Sequence, residues 1–183
     1  MRKALLLSLT FLLFPASSHA LQFYLGAGLG SDVEGGSFRA GLEQFADSSG
    51  DSSRLFGGVR IGKHLAVEAV HYDFGSQRCC RQVADLAFTS EVDGISAAAL
   101  ARWPMKFATP FVKAGALSWE ESGEFSTLLG VTSRTDDGVE PLYGFGIDVS
   151  LLRKIGLRLE WESYEFDGAS SEGLWASVIF RIN

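Results

Sequence analysis

The chemically capable residues of this 183-residue chain are few and oddly spaced. Leu157-Arg158-Leu159-Glu160-Trp161-Glu162 places a guanidinium and two carboxylates on one parity. Such a set can move protons in a cleft or pair off as ions in a lumen. His71 is the only histidine placed where a hydrolase could use it, and a lipid hydrolase would need a serine and an acid beside it at the outer rim. His19 falls in the N-terminal segment and His64 in a short turn. No His/Cys/Asp/Glu group has metal-ligand spacing. The glycines of Gly26-Ala27-Gly28-Leu29-Gly30 fail the dinucleotide pattern, which needs its third glycine three residues after the second and then a helix. Cys79 and Cys80 are adjacent. Neighbouring α-carbons lie ~3.8 Å apart, below the ~4.4 to 6.8 Å usual for a disulfide, which leaves a strained ring, a bond between chains or two free thiols open. No catalytic residue, cofactor or metal ligand is assigned.

The elements that carry these residues alternate with period two. Apolar and charged residues take turns from Leu157 to Glu162, the signature of a strand with one apolar and one charged face. The same parity recurs in Phe23 to Gly30, Arg54 to Gly62, Leu65 to Phe74, Ile95 to Trp103, Phe111 to Trp119, Leu142 to Leu151 and Leu174 to Ile182. Eight strands and no helix are predicted. Connections alternate between long polar stretches (31–53, 75–94, 120–140, with a moderate 166–172) and short turns, as in an antiparallel up-and-down sheet whose closure removes both edges. Residues 31–53, 76–93, 120–140 and 165–172 hold seventeen acids and four arginines, while the short turns hold Lys63, Lys106, Arg153 and Lys154 and no acid.

One face of these strands carries Arg60, Glu68, Arg102, Lys113, Asp148, Arg158, Glu160, Glu162 and Arg181 together with most of the glycines that fall within the strands. Nine ionisable groups cannot form a hydrophobic core, but they can pair inside a narrow barrel whose other face meets lipid. Phe23, Trp103, Tyr143, Trp161 and Phe180 near strand ends suit the lipid–water boundary. The expected fold is an all-β, eight-stranded antiparallel transmembrane barrel.

Met1-Arg2-Lys3, the eleven-residue apolar run Ala4 to Phe14 and the small residues before Ala20 look like a cleavable secretory signal. Residues 1–20 are therefore expected to leave a barrel domain over 21–183. That segment carries 14 Lys+Arg against 22 Asp+Glu, and no basic cluster could follow a run of phosphates. Nucleic-acid binding is excluded on that ground.

Four segments, in order, resemble the transmembrane domain of OmpA-type outer-membrane proteins. They are Phe23 to Gly30; Gly57 through Val67-Glu68 to Asp73-Phe74-Gly75; Tyr143 to Asp148 with Leu157 to Trp161; and the closing strand to Phe180-Arg181-Ile182. The resemblance implies outer-membrane localisation and an interior ion-pair network on Glu68, Asp148 and Arg158. That family also has a basic interior residue on strand four, where this chain has Leu100 with Arg102 two places on. It usually ends on an aromatic residue, whereas this chain ends Phe180-Arg181-Ile182-Asn183. A peptidoglycan-binding extension such as the longer members carry is not expected.

The function expected from these features is non-enzymatic, with loops acting at the cell surface as a structural, adhesive or partner-binding element. Phe88 and Phe125 to Leu129, notably Leu128 and Leu129, are the candidate patch, and the surrounding acids favour basic partners or divalent cations bridging to lipopolysaccharide. A lipid-modifying enzyme is the alternative, with a small solute pore behind it.

Overall fold

The computed structural model describes residues 21–30, 46–47, 52–79, 87–127, 130–166 and 169–182. The predicted signal segment, Cys80, Leu128 and Leu129 lie outside these residues. Eight strands build the wall: β1 (Gln22–Gly30), β2 (Ser52–Ile61), β3 (Leu65–Cys79), β4 (Ala87–Arg102), β5 (Ala108–Thr127), β6 (Gly130–Ser150), β7 (Ile155–Phe166) and β8 (Ala169–Ile182). Each strand pairs antiparallel with the next, and β1 pairs with β8, so the sheet closes on itself. A two-residue segment, Ala46–Asp47, adds to β3 opposite Cys79 and Arg78. No helix occurs among the described residues.

Closure follows from the alternation. Leu25, Leu29, Leu55, Val67, Ile95, Phe145, Leu159 and Val178 all stand exposed on the outside. Their neighbours in sequence point into a lumen too narrow for water to fill. Of the predicted boundary aromatics, Phe23, Trp103, Tyr143 and Phe180 are outward and exposed, and the Trp161 ring packs 5.1 Å from that of Phe145. On β5 the parity that groups Phe111 with Lys113 is real, for both side chains are buried and Leu117 follows them inward. Phe111 belongs inside because the Arg158 guanidinium lies over its ring at 4.7 Å, a cation–π contact.

Two glycines meet different demands of the wall, one of space and one of backbone conformation. A β-carbon on Gly58 would sit 2.4 Å from Cζ of Tyr24, so only hydrogen fits opposite that ring. Gly75 has φ 76°, which L-residues with side chains rarely adopt, and it marks a register shift on β3 between Asp73 and Ser76. Its N–H donates to Oδ1 of Asp73 at 2.9 Å.

Past that bulge the structure departs from the sequence reading. Loops were expected over 75–94 and 120–140; instead β3, β4, β5 and β6 continue through most of both stretches as paired strands. The hydrophobic alternation stops there because both faces of the sheet leave lipid and become polar. Strand structure persists because β-branched residues such as Thr89, Val92, Thr132, Thr135 and Val139 suit it and each strand still has a paired neighbour. The result is a four-stranded sheet projecting from one end of the barrel.

A closed barrel with its backbone groups paired unfolds slowly in detergent. Unheated protein should therefore migrate differently from boiled protein on an SDS gel, and identical migration combined with release into the soluble periplasmic fraction would contradict the fold. Leu159 faces outward near mid-strand. Leu159→Arg should lower unfolding stability in lipid vesicles by about 2 to 4 kcal/mol, measured by urea titration of tryptophan fluorescence.

Candidate functional site

The lumen gathers charges from seven strands, β2 to β8. Arg158 on β7 is fully enclosed and holds two acids at once, donating from Nε to Oδ1 of Asp148 at 2.8 Å and from Nη1 to Oε2 of Glu68 at 2.7 Å. Tyr24 on β1 donates its hydroxyl to the same Glu68 carboxylate at 2.9 Å. Lys113 on β5 stands between Glu68, at 3.6 Å, and Glu160, at 3.2 Å, and it also donates to Glu162. Asp148 is shared further with Arg102, at 3.0 Å, and Arg60, at 3.8 Å.

Arg181 is buried with these groups but takes no acid among the described residues. It donates to Ser150 Oγ at 2.8 Å and to the Leu152 carbonyl at 3.5 Å. Leu100 points inward and is buried, so the strand-four position where the resembling family carries a base is apolar here. Arg102 and Lys113 reach the acids from either side of it.

Arg54 is the interior residue the sequence reading missed. It donates to Glu160 at 2.6 Å and to Glu162 at 3.0 Å, and its guanidinium lies 4.9 Å over the Trp175 ring. The signal is present in the sequence, because Arg54 shares parity with Gly58 and Arg60, although it stands at the first position of its predicted strand. Above it, Tyr72 stacks on Phe74 at 5.2 Å, with Tyr164 and Trp175 edge-on to both. The hydroxyls of Tyr72 and Tyr164 donate to Glu162, and the indole N–H of Trp175 donates to the Tyr164 hydroxyl at 2.9 Å. The buried described side chains thus number six bases against four acids, capped on the side of the projecting sheet by aromatic rings.

The outside carries a second arrangement. Asp73 on β3 faces Asp93 on β4, Asp93 faces Glu120 on β5, and Glu120 faces Asp137 on β6. All four are exposed, forming one row of carboxylates across four strands just beyond the outward apolar face. Phe88 and Phe125 lie higher on the projecting sheet, directly opposite each other in register, and Cys79 on β3 is paired with Phe88.

His71 is exposed on the outward face, with Leu55 and Ile95 as its cross-strand neighbours. Ser53 lies opposite Asp73, two places along, so a serine, a histidine and an acid do share one patch. No hydrogen bond joins the three among the described residues, and the Asp73 carboxylate holds the Gly75 N–H. His64, in the turn between β2 and β3, bonds through Nδ1 to the Arg102 carbonyl at 3.0 Å. No group of three or more His, Cys, Asp or Glu that could hold a metal occurs among the described residues.

The comparisons agree with this architecture. Residues 4–179 match the family described as Outer membrane protein beta-barrel domain. Among solved structures, the fold is similar to Ail, the attachment invasion locus protein of Yersinia pestis, determined in complex with the heparin analogue sucrose octasulfate (TM-score 0.60, 11% identity, 88% of this chain and 97% of that one). It is similar also to the N-terminal β-barrel domain of Pseudomonas aeruginosa OprF (TM-score 0.61, 9% identity, 88% and 97%). Neisserial surface protein A is a third (TM-score 0.58, 14% identity, 88% and 97%). At such identities the likeness is one of fold. No curated protein matches the chain by sequence. A closed eight-stranded wall with an apolar outside and a charged lumen, matched over 4–179 by that family, makes this chain a member of the outer membrane protein β-barrel domain family, resident in the outer membrane.

Proposed function

We propose that the protein is a non-enzymatic surface anchor whose projecting β3–β6 sheet binds partners outside the cell. The observation that carries this reading is the sheet itself. A strand crosses the bilayer core in about 9 to 11 residues, whereas β5 has 20 and β6 has 21. The excess is ordered structure held clear of the membrane by a rigid scaffold, which is where binding residues belong.

The chemistry of the surface defines the partner class. Like charges directly opposed across strands destabilise a sheet, so the row Asp73, Asp93, Glu120 and Asp137 works against the fold and calls for a cationic counterpart. Basic protein segments supply one, and divalent cations bridging to lipopolysaccharide phosphates supply another at the level where the apolar face ends. The polyanion bound by Ail does not transfer, since the four predicted connections hold seventeen acids against four arginines. Phe88 and Phe125 add an apolar element on the same sheet.

The Ser53, His71 and Asp73 patch favours a second reading, an outward-facing lipid hydrolase. An enzyme would lose acyl hydrolysis on His71→Ala, whereas a binding sheet would be indifferent to it. We expect no His71-dependent release of fatty acid from outer-membrane lipids, together with unchanged surface attachment by the His71→Ala protein. Shortening residues 76–93 and 120–140 to tight turns should leave the heat-modifiable barrel intact and abolish attachment or partner capture by intact cells. Unchanged attachment in the shortened protein would reduce the chain to a structural component of the membrane.

The filled lumen is assigned the role of holding that platform rigid and closed to solutes. In planar bilayers the parent protein should conduct little. Arg158→Ala removes the shared donor of Asp148 and Glu68 and should cost about 3 to 5 kcal/mol in urea unfolding; resistance equal to the parent would show that these ion pairs do not stabilise the barrel.

A further inference from the structure

Among the described strands, β6 is paired on both sides only in its lower half. Its register with β7 runs from Ser150 opposite Gly156 to Leu142 opposite Tyr164, whereas its register with β5 continues to Gly130 opposite Thr127. From Gly130 to Pro141 no strand among the described residues pairs with its other edge. Pro141, which has no N–H to offer, stands at the fork. An edge of about twelve residues with no described strand beside it is a template for another strand.

The sequence of that edge is complementary to itself when reversed. Antiparallel pairing centred on Thr135 places Arg134 opposite Asp136 twice, Val131 opposite Val139 twice and Ser133 opposite Asp137 twice. Each pair joins residues of like parity, so both members point to the same face of the joined sheet. Arg134 and Asp136 already lie 2.8 Å apart within one chain and are largely exposed, at 74% and 49%, so each can take a second partner. Opposite charges and apolar residues facing across strands are the pairs that stabilise a sheet.

We propose that this edge pairs with the same edge of a second copy standing in an opposing membrane, so that the protein tethers two cells to each other. The inference rests on the reading of the projecting sheet as the binding element and names its partner. Orientation dictates the opposing membrane. The two-fold axis of an antiparallel pair reverses strand direction, and β6 runs the same way in every copy inserted in one bilayer, so two neighbours there cannot form the pair. Copies facing each other across a gap can. Six residues separate Thr135 from Pro141, about 20 Å of strand, which sets the two forks about 40 Å apart.

The test uses the full chain reconstituted in phosphatidylcholine vesicles, with clustering followed by light scattering. Parent vesicles should cluster. Arg134→Asp and Asp136→Arg should each reduce clustering to the level of protein-free vesicles, while mixing the two populations should recover most of the parent signal, because each variant then faces its complement. Both substitutions lie on exposed positions, and heat-modifiable migration verifies that the barrels are folded. Register is read separately in a background carrying Cys79→Ser and Cys80→Ser. Thr135→Cys should yield disulfide-linked dimers, whereas Ser133→Cys, about 13 Å from its own counterpart, should not. Dispersed parent vesicles, single variants that cluster like the parent, or a mixture that stays dispersed would each overturn the proposal. If capture of other partners by cells still depends on the sheet while parent vesicles stay dispersed, the binding reading stands and self-pairing falls.

Discussion

Arg158 is the point on which the interior turns. Enclosed in a lumen with lipid beyond the wall, its guanidinium depends on Asp148 and Glu68, and neither acid has another donor as close. An unpaired charge in such a place costs several kcal/mol, so the three residues must be brought together from β3, β6 and β7 or the barrel does not close as built. That requirement spreads outward. Glu68 fixes the Tyr24 hydroxyl, Tyr24 requires a hydrogen at Gly58, and the Arg158 guanidinium requires the Phe111 ring beneath it. The small and aromatic residues of the inner face are set by the charges as much as the reverse.

Parity explains what could be read from the sequence. In a wall with lipid on one side, every second residue must be apolar, so alternation in Phe23 to Gly30 or Leu157 to Glu162 states both the strand and its lipid face. Strand count and the lipid-facing wall follow from that one physical fact, whereas the family resemblance rests on particular segments such as Tyr143 to Asp148 with Leu157 to Trp161. Partners inside the lumen are a different matter. Parity states that Arg54 and Glu162 share a face, but their 3.0 Å contact depends on how the strands stagger around the closed wall, which no local pattern encodes. Arg181 illustrates the same gap, since its position near the turns leaves it with Ser150 and a backbone carbonyl in place of an acid.

The projecting sheet was hidden for a physical reason. Above the membrane both faces of β5 and β6 are wet, the alternation has nothing to enforce it, and a polar strand looks like a polar loop. What holds those strands is pairing along their length, a non-local property. The carboxylate row is more deeply hidden, because it exists only once the registers of β3 to β6 and the bulge at Gly75 are known.

Charge then divides the molecule into a cationic inside and an anionic outside. The described lumen holds four acids against six bases, while most of the chain's 22 acids lie elsewhere. The interior excess sits behind low-dielectric walls and is met in part by the Gln22 amide, the Ser150 hydroxyl and the Leu152 carbonyl, so it does little to attract partners from outside. Asp73, Asp93, Glu120 and Asp137 stand exposed on ordered strands, where their spacing is fixed by the sheet and their repulsion is relieved by something cationic. A barrel needs neither the row at Asp73 to Asp137 nor a β6 that outruns β7 in order to close. Both features lie above the level at which the barrel is complete, on strands whose direction the barrel sets. On the proposed reading the charged interior serves the surface mechanically: it stiffens the base from which the β3–β6 sheet is held away from the cell.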